Sequence, residues 1–247
     1  MANWLDATVL ENKHWHPNLF SLKVKTAAFD FIAGQFVRLA MDTADGRKQR
    51  AYSIVNSPGV TEQEFLINTV PDGSLSPLLQ QLTMGDTLQV SQPASGFFIL
   101  DEIPDGDNLW LISSGTGIGP YLSMLGTHNL WQRFEHIVLV HSVRTVADLV
   151  YRDFIEQKQA QYPGMLHYQP IVTREAHSGA LSKRIPELIR TGELQAACKQ
   201  KLDNRSQVML CGNPAMITDT RAQLEALGLI KNLRRKPGNI TVEQYWK

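Results

Sequence analysis

The sequence predicts a two-domain protein: an N-terminal antiparallel β-barrel followed by a C-terminal α/β domain with a doubly wound parallel sheet. Three observations predict it. From Ala7 to about Leu100 the apolar runs are short, with a period near two and turn formers between them. An acidic stretch with both Pro and Gly follows, Asp101-Glu102-Ile103-Pro104-Asp105-Gly106-Asp107. Beyond it, strand-like runs apolar throughout alternate with helical segments, the pattern of strands buried on both faces.

The barrel strands are expected at Leu19-Phe20-Ser21-Leu22-Lys23-Val24, Gln35-Phe36-Val37-Arg38-Leu39, Tyr52-Ser53-Ile54-Val55 and Glu64-Phe65-Leu66-Ile67. Asp45-Gly46, Ser57-Pro58-Gly59, Asp72-Gly73 and Gly85-Asp86 punctuate them. One helix is predicted over 75–82, with Ser74 as its N-cap. In the second half, strands are expected at Leu109-Trp110-Leu111-Ile112, Ile137-Val138-Leu139-Val140, Tyr168 to Val172 and Val208-Met209-Leu210-Cys211. Helices are expected from Gly119 onward, over 146–161 and over 214–227. There is no internal repeat.

With 247 residues the chain can form two ordinary cores. Lys and Arg total 24 and so do Asp and Glu, which removes the overall basic charge of a nucleic-acid binder. The two cysteines, Cys198 and Cys211, are too few for a disulfide framework, a structural zinc site or a cysteine-ligated iron–sulfur cluster. With no signal peptide at the start and no bilayer-length apolar run, a cytoplasmic protein without a membrane partner is expected.

Five short motifs carry chemistry. Arg50-Ala51-Tyr52-Ser53 puts a cationic fork, a flat aromatic and a small hydroxyl at a strand start, a set that suits a flavin nucleotide. Taken alone it reads more simply as an ordinary barrel strand with a surface Arg. Pro71-Asp72-Gly73-Ser74-Leu75-Ser76-Pro77 is a glycine turn entering a helix, either a phosphate cradle or just a capped helix. Ser113-Ser114-Gly115-Thr116-Gly117-Ile118-Gly119-Pro120 follows a buried strand and opens a helix. It departs from the G-x-G-x-x-G fingerprint, and the acidic ribose ligand after the next strand is replaced by Ser142-Val143-Arg144. Arg144, Arg174 and Arg184 stand at or near strand ends, either where a 2′-phosphate would need them or as solvated loop arginines. Met209-Leu210-Cys211-Gly212-Asn213-Pro214 again runs from strand through glycine turn to helix, and its thiol can border a flat ring or simply fill the core.

In this order the motifs resemble the ferredoxin–NADP reductase family, most closely its bacterial ferredoxin/flavodoxin branch, over essentially the whole chain. The resemblance implies an FAD-binding barrel at 1–100, a linker at 101–107, and an NADP-binding domain at 108–247 whose tail returns to the FAD. It implies that Arg50 binds the FAD pyrophosphate, Tyr52 packs on the flavin and Ser53 poises N5. Ala51, Ile67, Asn68, Thr69, Ser74, Leu75, Ser76, Thr116 and Tyr245 would complete that site. Trp246 is expected on the adenine, or alternatively packed on the barrel. Thr116, Gly117, Cys211, Gly212 and Asn213 would meet the nicotinamide side of NADPH, and Arg144, Thr173, Arg174 and Arg184 its phosphates. The catalytic set would be Ser53, Tyr52 and Cys211, with no metal.

The activity implied is hydride transfer from NADPH to FAD N5, then two single-electron steps to ferredoxin or flavodoxin. Such carriers are acidic, so a basic patch from Arg47, Lys48 and Arg234-Arg235-Lys236 is expected to meet them transiently, although the latter run reads equally as a solvated loop. A monomer is expected. The alternatives are an oxygenase reductase component or free-flavin reductase, and a non-catalytic subunit that keeps the FAD or nucleotide site.

Overall fold

Hydrophobic alternation builds the first sheet. Residues 3–245 are described by the computed structural model, and the chain divides into two units. One runs to Ile99 and takes back Gly119–Thr127; the other holds Leu100–Ile118 and everything from His128.

The first unit is a curled antiparallel sheet of β1 (Asn3–His16), β2 (Leu19–Thr26), β3 (Phe36–Thr43), β4 (Gly46–Ser53), β5 (Glu62–Asn68) and β6 (Thr87–Gln92). Their order is β4-β3-β6-β1-β2-β5. On β2, Phe20, Leu22 and Val24 point into the core while Lys23 and Lys25 point away, as strand alternation requires. Val9, Leu39, Phe65, Ile67 and Val90 fill the same core. Each such burial stabilises by roughly 1.5–3 kcal/mol. The curl brings the edge strands β4 and β5 into contact, and just beyond β4 the Val55 N–H donates to the Glu64 carbonyl at 2.9 Å.

Helix α1 spans only Ser76–Gln80, and its N-cap is Leu75 with no side-chain cap bond. The expected Ser74 cap is therefore not formed. The turn closes another way: Gly73 N–H donates to Val70 O at 2.8 Å, and Val70 N–H to Ser76 Oγ at 3.0 Å. Leu75 and Leu79 join the barrel core. Helix α2 (Gly119–Leu125), buried throughout, completes this unit, with Ser123 Oγ donating to Asn56 O at 2.7 Å.

The second unit is a parallel sheet of β7 (Asn108–Ser114), β8 (His136–Val143), β9 (Leu166–Val172), β10 (Ser206–Gly212) and β11 (Ile240–Gln244). Their order is β11-β10-β7-β8-β9. Trp110, Ile112, Val138, Val140, Val208 and Leu210 pack against one helical layer, while Leu109, Leu111, Ile137 and Leu139 are equally buried on the other face. That double burial is what made these runs readable. β11 is a fifth strand that the apolar-run pattern did not reveal.

Around the sheet lie α3 (His128–Arg133), α4 (Arg152–Gln161), α5 (Ile185–Thr191), α6 (Glu193–Cys198) and α7 (Pro214–Ala226). The helix expected over 146–161 is interrupted. Thr145 and Asp148 form a capping box around a single turn, Val146–Asp148, and Tyr151 takes a left-handed φ of 59° before α4 starts. From β7 the chain winds one way through β8 and β9, then returns to lay β10 on the other side of β7. The strand order therefore reverses between β7 and β10, and a crevice at such a switch point is where open α/β sheets bind ligands.

Candidate functional site

In the first unit the candidate residues lie on the two edge strands that the curl brings together. On β4, Arg50 and Ala51 are exposed, Tyr52 is half-buried, and Ser53 is buried opposite Phe36 of β3. Arg50 donates from Nη1 to Gln49 O at 2.7 Å, and among the described residues no carboxylate pairs with it. Burial pushes the Tyr52 phenol up to about 12, with the Arg50 cation working the other way. Tyr52 is thus a neutral phenol at any physiological pH.

At the end of β5, Ile67 is buried opposite Phe20, and Asn68 is exposed. Thr69 N–H donates to Asn18 O at 2.9 Å. The Val70–Ser76 turn follows directly, and a Cβ on Gly73 would lie 2.9 Å from Val70 O, so only glycine passes there without a shift. Two hydroxyls, Thr69 Oγ1 and Ser74 Oγ, are buried with no hydrogen-bond partner among the described residues. Leaving such donors unpaired is costly, and a ligand's acceptors would relieve it.

In the second unit the residues gather at the carboxyl ends of β7 and β10. The turn Gly115–Ile118 leaves β7, and Gly212 leaves β10 with a φ of 131°. The two turns interlock through backbone: a Cβ on Gly117 would sit 2.5 Å from Cys211 O, and one on Gly212 would sit 2.7 Å from Ser114 O. Asn213 N–H donates to Ser114 Oγ at 3.0 Å, while Asn213 Oδ1 caps α7 by accepting from Ala215 N–H at 2.8 Å.

β11 adds two groups. Its register sets Glu243 beside Cys211, and just past its end the Tyr245 hydroxyl donates to Thr116 O at 3.1 Å. Burial raises the partly buried Glu243 carboxyl to about 7, and its Oε2 has no hydrogen-bond partner among the described residues. Burial, and then the Glu243 carboxylate, push the Cys211 thiol well above its usual value, a hydrogen bond with Tyr245 opposing them. Cys211 is accordingly a buried neutral thiol. It can border a ring but cannot serve as a thiolate nucleophile.

Sequence reasoning missed Glu243. A carboxylate in a mixed-polarity tail carries no local signal, and only the pairing of β11 with β10 brings it to Cys211. Trp246, expected on an adenine, lies outside the described residues.

The arginines stand at the far side of this sheet end. β8 and β9 stay paired past their last residues: Thr173 N–H and Oγ1 both donate to Val143 O at 3.1 Å, and Arg174 N–H donates to Arg144 O at 2.9 Å. Arg144 and Arg174 therefore leave adjacent strands side by side, both exposed and without a carboxylate partner among the described residues. Leu181 bridges back to Ile171, which returns the chain to the sheet shortly before Arg184, itself exposed at the start of α5. Of the expected basic patch, Arg47 lies over the Trp4 ring at 4.1 Å and 3.4 Å from Asp42. Arg234 holds both oxygens of Glu102, at 2.8 and 3.2 Å. Lys48 is half-buried, whereas Arg235 and Lys236 are exposed.

Among the described residues no helix is long and apolar enough to cross a membrane, and no group of His, Cys, Asp and Glu could hold a metal ion.

A curled antiparallel sheet with two unpaired hydroxyls just after β5, and a parallel sheet with glycine turns at its switch point, have the form of a two-domain dinucleotide-binding protein. Comparison with known proteins agrees: residues 11–99 match the oxidoreductase FAD-binding domain, and residues 111–222 the oxidoreductase NAD-binding domain. The chain is 46% identical to the flavodoxin/ferredoxin–NADP reductase of Shigella flexneri and 45% identical to that of Escherichia coli K12, covering 100% of each chain in both cases. It superimposes with a TM-score of 0.94 and 32% identity on a ferredoxin NADP+ reductase from Neisseria gonorrhoeae with bound FAD and NADP, again over 100% of both chains. The chain belongs to the flavodoxin/ferredoxin–NADP reductase family, and its cofactors are FAD and NADP.

Proposed function

We propose that this protein passes electrons between NADPH and ferredoxin or flavodoxin. The observation that carries the reading is that both cofactor half-sites occur in one chain that matches reductases of this name from end to end. Bound FAD supplies the chemistry of taking up an electron pair as hydride and releasing it one electron at a time.

The chain's own residues bind and orient. Arg50, free of any described carboxylate, pairs with the FAD pyrophosphate through its guanidinium fork. Thr69 and Ser74 give their unpaired hydroxyls to the same ligand, Ser76 closes their turn, and Ala51, Ile67, Asn68 and Leu75 form its walls. Tyr52 lies against the flavin as a neutral phenol, and Ser53 donates toward N5. Thr116, Gly117, Cys211, Gly212 and Asn213 form the wall for the nicotinamide. Tyr245 steadies Thr116 in that wall. Arg144, Thr173, Arg174 and Arg184 hold the adenosine phosphates, and arginines on neighbouring strand ends favour a 2′-phosphate. The working unit is a single chain, and Arg235 and Lys236 draw in an acidic carrier.

Steady-state electron transfer from NADPH to purified flavodoxin or ferredoxin, run beside free FMN, tests this. Faster turnover with the carrier protein, falling as salt is added, is expected. Turnover with free flavin alone would assign the chain to flavin reduction instead.

A further inference from the structure

His141 lies on β8 beside Ser113 of β7 and is fully buried. Its Nε2 is 3.0 Å from the carbonyl oxygen of Gly115. A carbonyl only accepts, so Nε2 must carry the hydrogen, and Nδ1, buried with no hydrogen-bond partner among the described residues, is bare. Burial lowers the imidazole to about 4, against the opposing pull of the Gly115 bond and the Asp148 carboxylate. The ring is therefore a neutral donor at neutral pH.

Its acceptor matters because of where it stands. Gly115 takes a φ of +54° and starts the Gly115–Ile118 turn, which carries Thr116. Tyr245 holds that turn through the Thr116 carbonyl, and Gly117 is wedged against the Cys211 carbonyl. His141 supplies a third hold, from β8, on the residue where the chain leaves β7.

We propose that His141 is a positioning residue for the nicotinamide wall: its Nε2–H bond to Gly115 fixes the turn and so the placement of Thr116 against the nicotinamide. The proposal rests on the reading that Thr116 borders that ring. His141 is fully buried and acts on the turn through the Gly115 carbonyl. Leu at this position keeps the bulk but leaves the Gly115 carbonyl without its donor. Gln can present its amide N–H where Nε2–H stood.

The test compares His141→Leu and His141→Gln in the FAD-loaded protein. Three quantities are read: amide exchange at residues 116–118, flavin bleaching by NADPH in stopped flow, and affinity for 2′,5′-ADP, which engages the arginines but not the turn. Loss of the bond in the Leu variant is expected to speed exchange and slow bleaching, each by about tenfold. FAD content and 2′,5′-ADP affinity should stay at wild-type levels, and the Gln variant should recover much of both losses. If Leu prevents folding, His141→Asn, too short to reach Gly115, takes its place. Wild-type exchange and bleaching in the Leu variant, or a Gln variant no better than Leu, would overturn the proposal. Thr116→Val separates the two possible failures. If it bleaches as fast as wild type, the nicotinamide reading falls and takes this proposal with it. If it is slow while His141→Leu is normal, only the positioning role is lost.

Discussion

Glu243 shows what a single residue can impose on the whole chain. Its carboxyl is raised by burial to about 7, against roughly 4.3 for an unfolded glutamate. The folded state therefore binds the proton more tightly, and this group's stabilising contribution is complete below about pH 4.3 and lost as pH rises through about 7. Glu243→Gln should remove that dependence and be more stable than wild type at pH 8, by on the order of 1–3 kcal/mol. Urea unfolding of the apoprotein at pH 5 and pH 8 measures it, and equal pH dependences in the two proteins would contradict it. Ser74 is the opposite kind of residue, because its Oγ has no hydrogen-bond partner to lose among the described residues. Ser74→Ala should leave the apoprotein's melting temperature unchanged and weaken FAD binding about threefold to tenfold. Fluorescence titration of apoprotein with FAD decides it; unchanged affinity would remove Ser74 from the flavin site.

At the scale of elements, the interlocked turns after β7 and β10 are the least forgiving part of the fold. A Cβ on Gly117 would meet backbone of Cys211 and Gly212, which cannot rotate away as a side chain could. Gly117→Ala should destabilise by about 1–3 kcal/mol and widen the switch-point crevice. Its thermal midpoint checks this, and a wild-type value would mean that the turns separate freely. The same elements show what was legible in the sequence. β7, β8 and β10 were readable because burial on both faces makes each a continuous apolar run. β11 was not: it is an edge strand whose alternation is diluted by Thr241, Glu243 and Gln244. α5 and α6 escaped because each is short and Gly192, in a left-handed conformation, separates them. In the site, the strand-end positions of Arg144 and Arg174 could be read locally. The bonds from Tyr245 to Thr116 and from His141 to Gly115 could not, since residues far apart in the chain make them.

For the whole molecule, the balance of 24 basic and 24 acidic residues leaves recognition to local placement of charge. Arg144 and Arg174, side by side on adjacent strand ends, are the clearest such placement. Arg174→Ala should cut the preference for NADPH over NADH about tenfold to hundredfold, through KM with little change in kcat, because the 2′-phosphate lies away from the reacting ring. Equal effects on the two nucleotides would argue against a 2′-phosphate site. Flavin reduction by NADPH is read most directly from the visible spectrum of the purified protein, taken before and after anaerobic addition of NADPH and, separately, NADH. A yellow protein with bound FAD is expected, bleached by stoichiometric NADPH and far more slowly by NADH. A colourless protein that takes up no FAD, or a flavin spectrum that NADPH leaves unchanged, would contradict it.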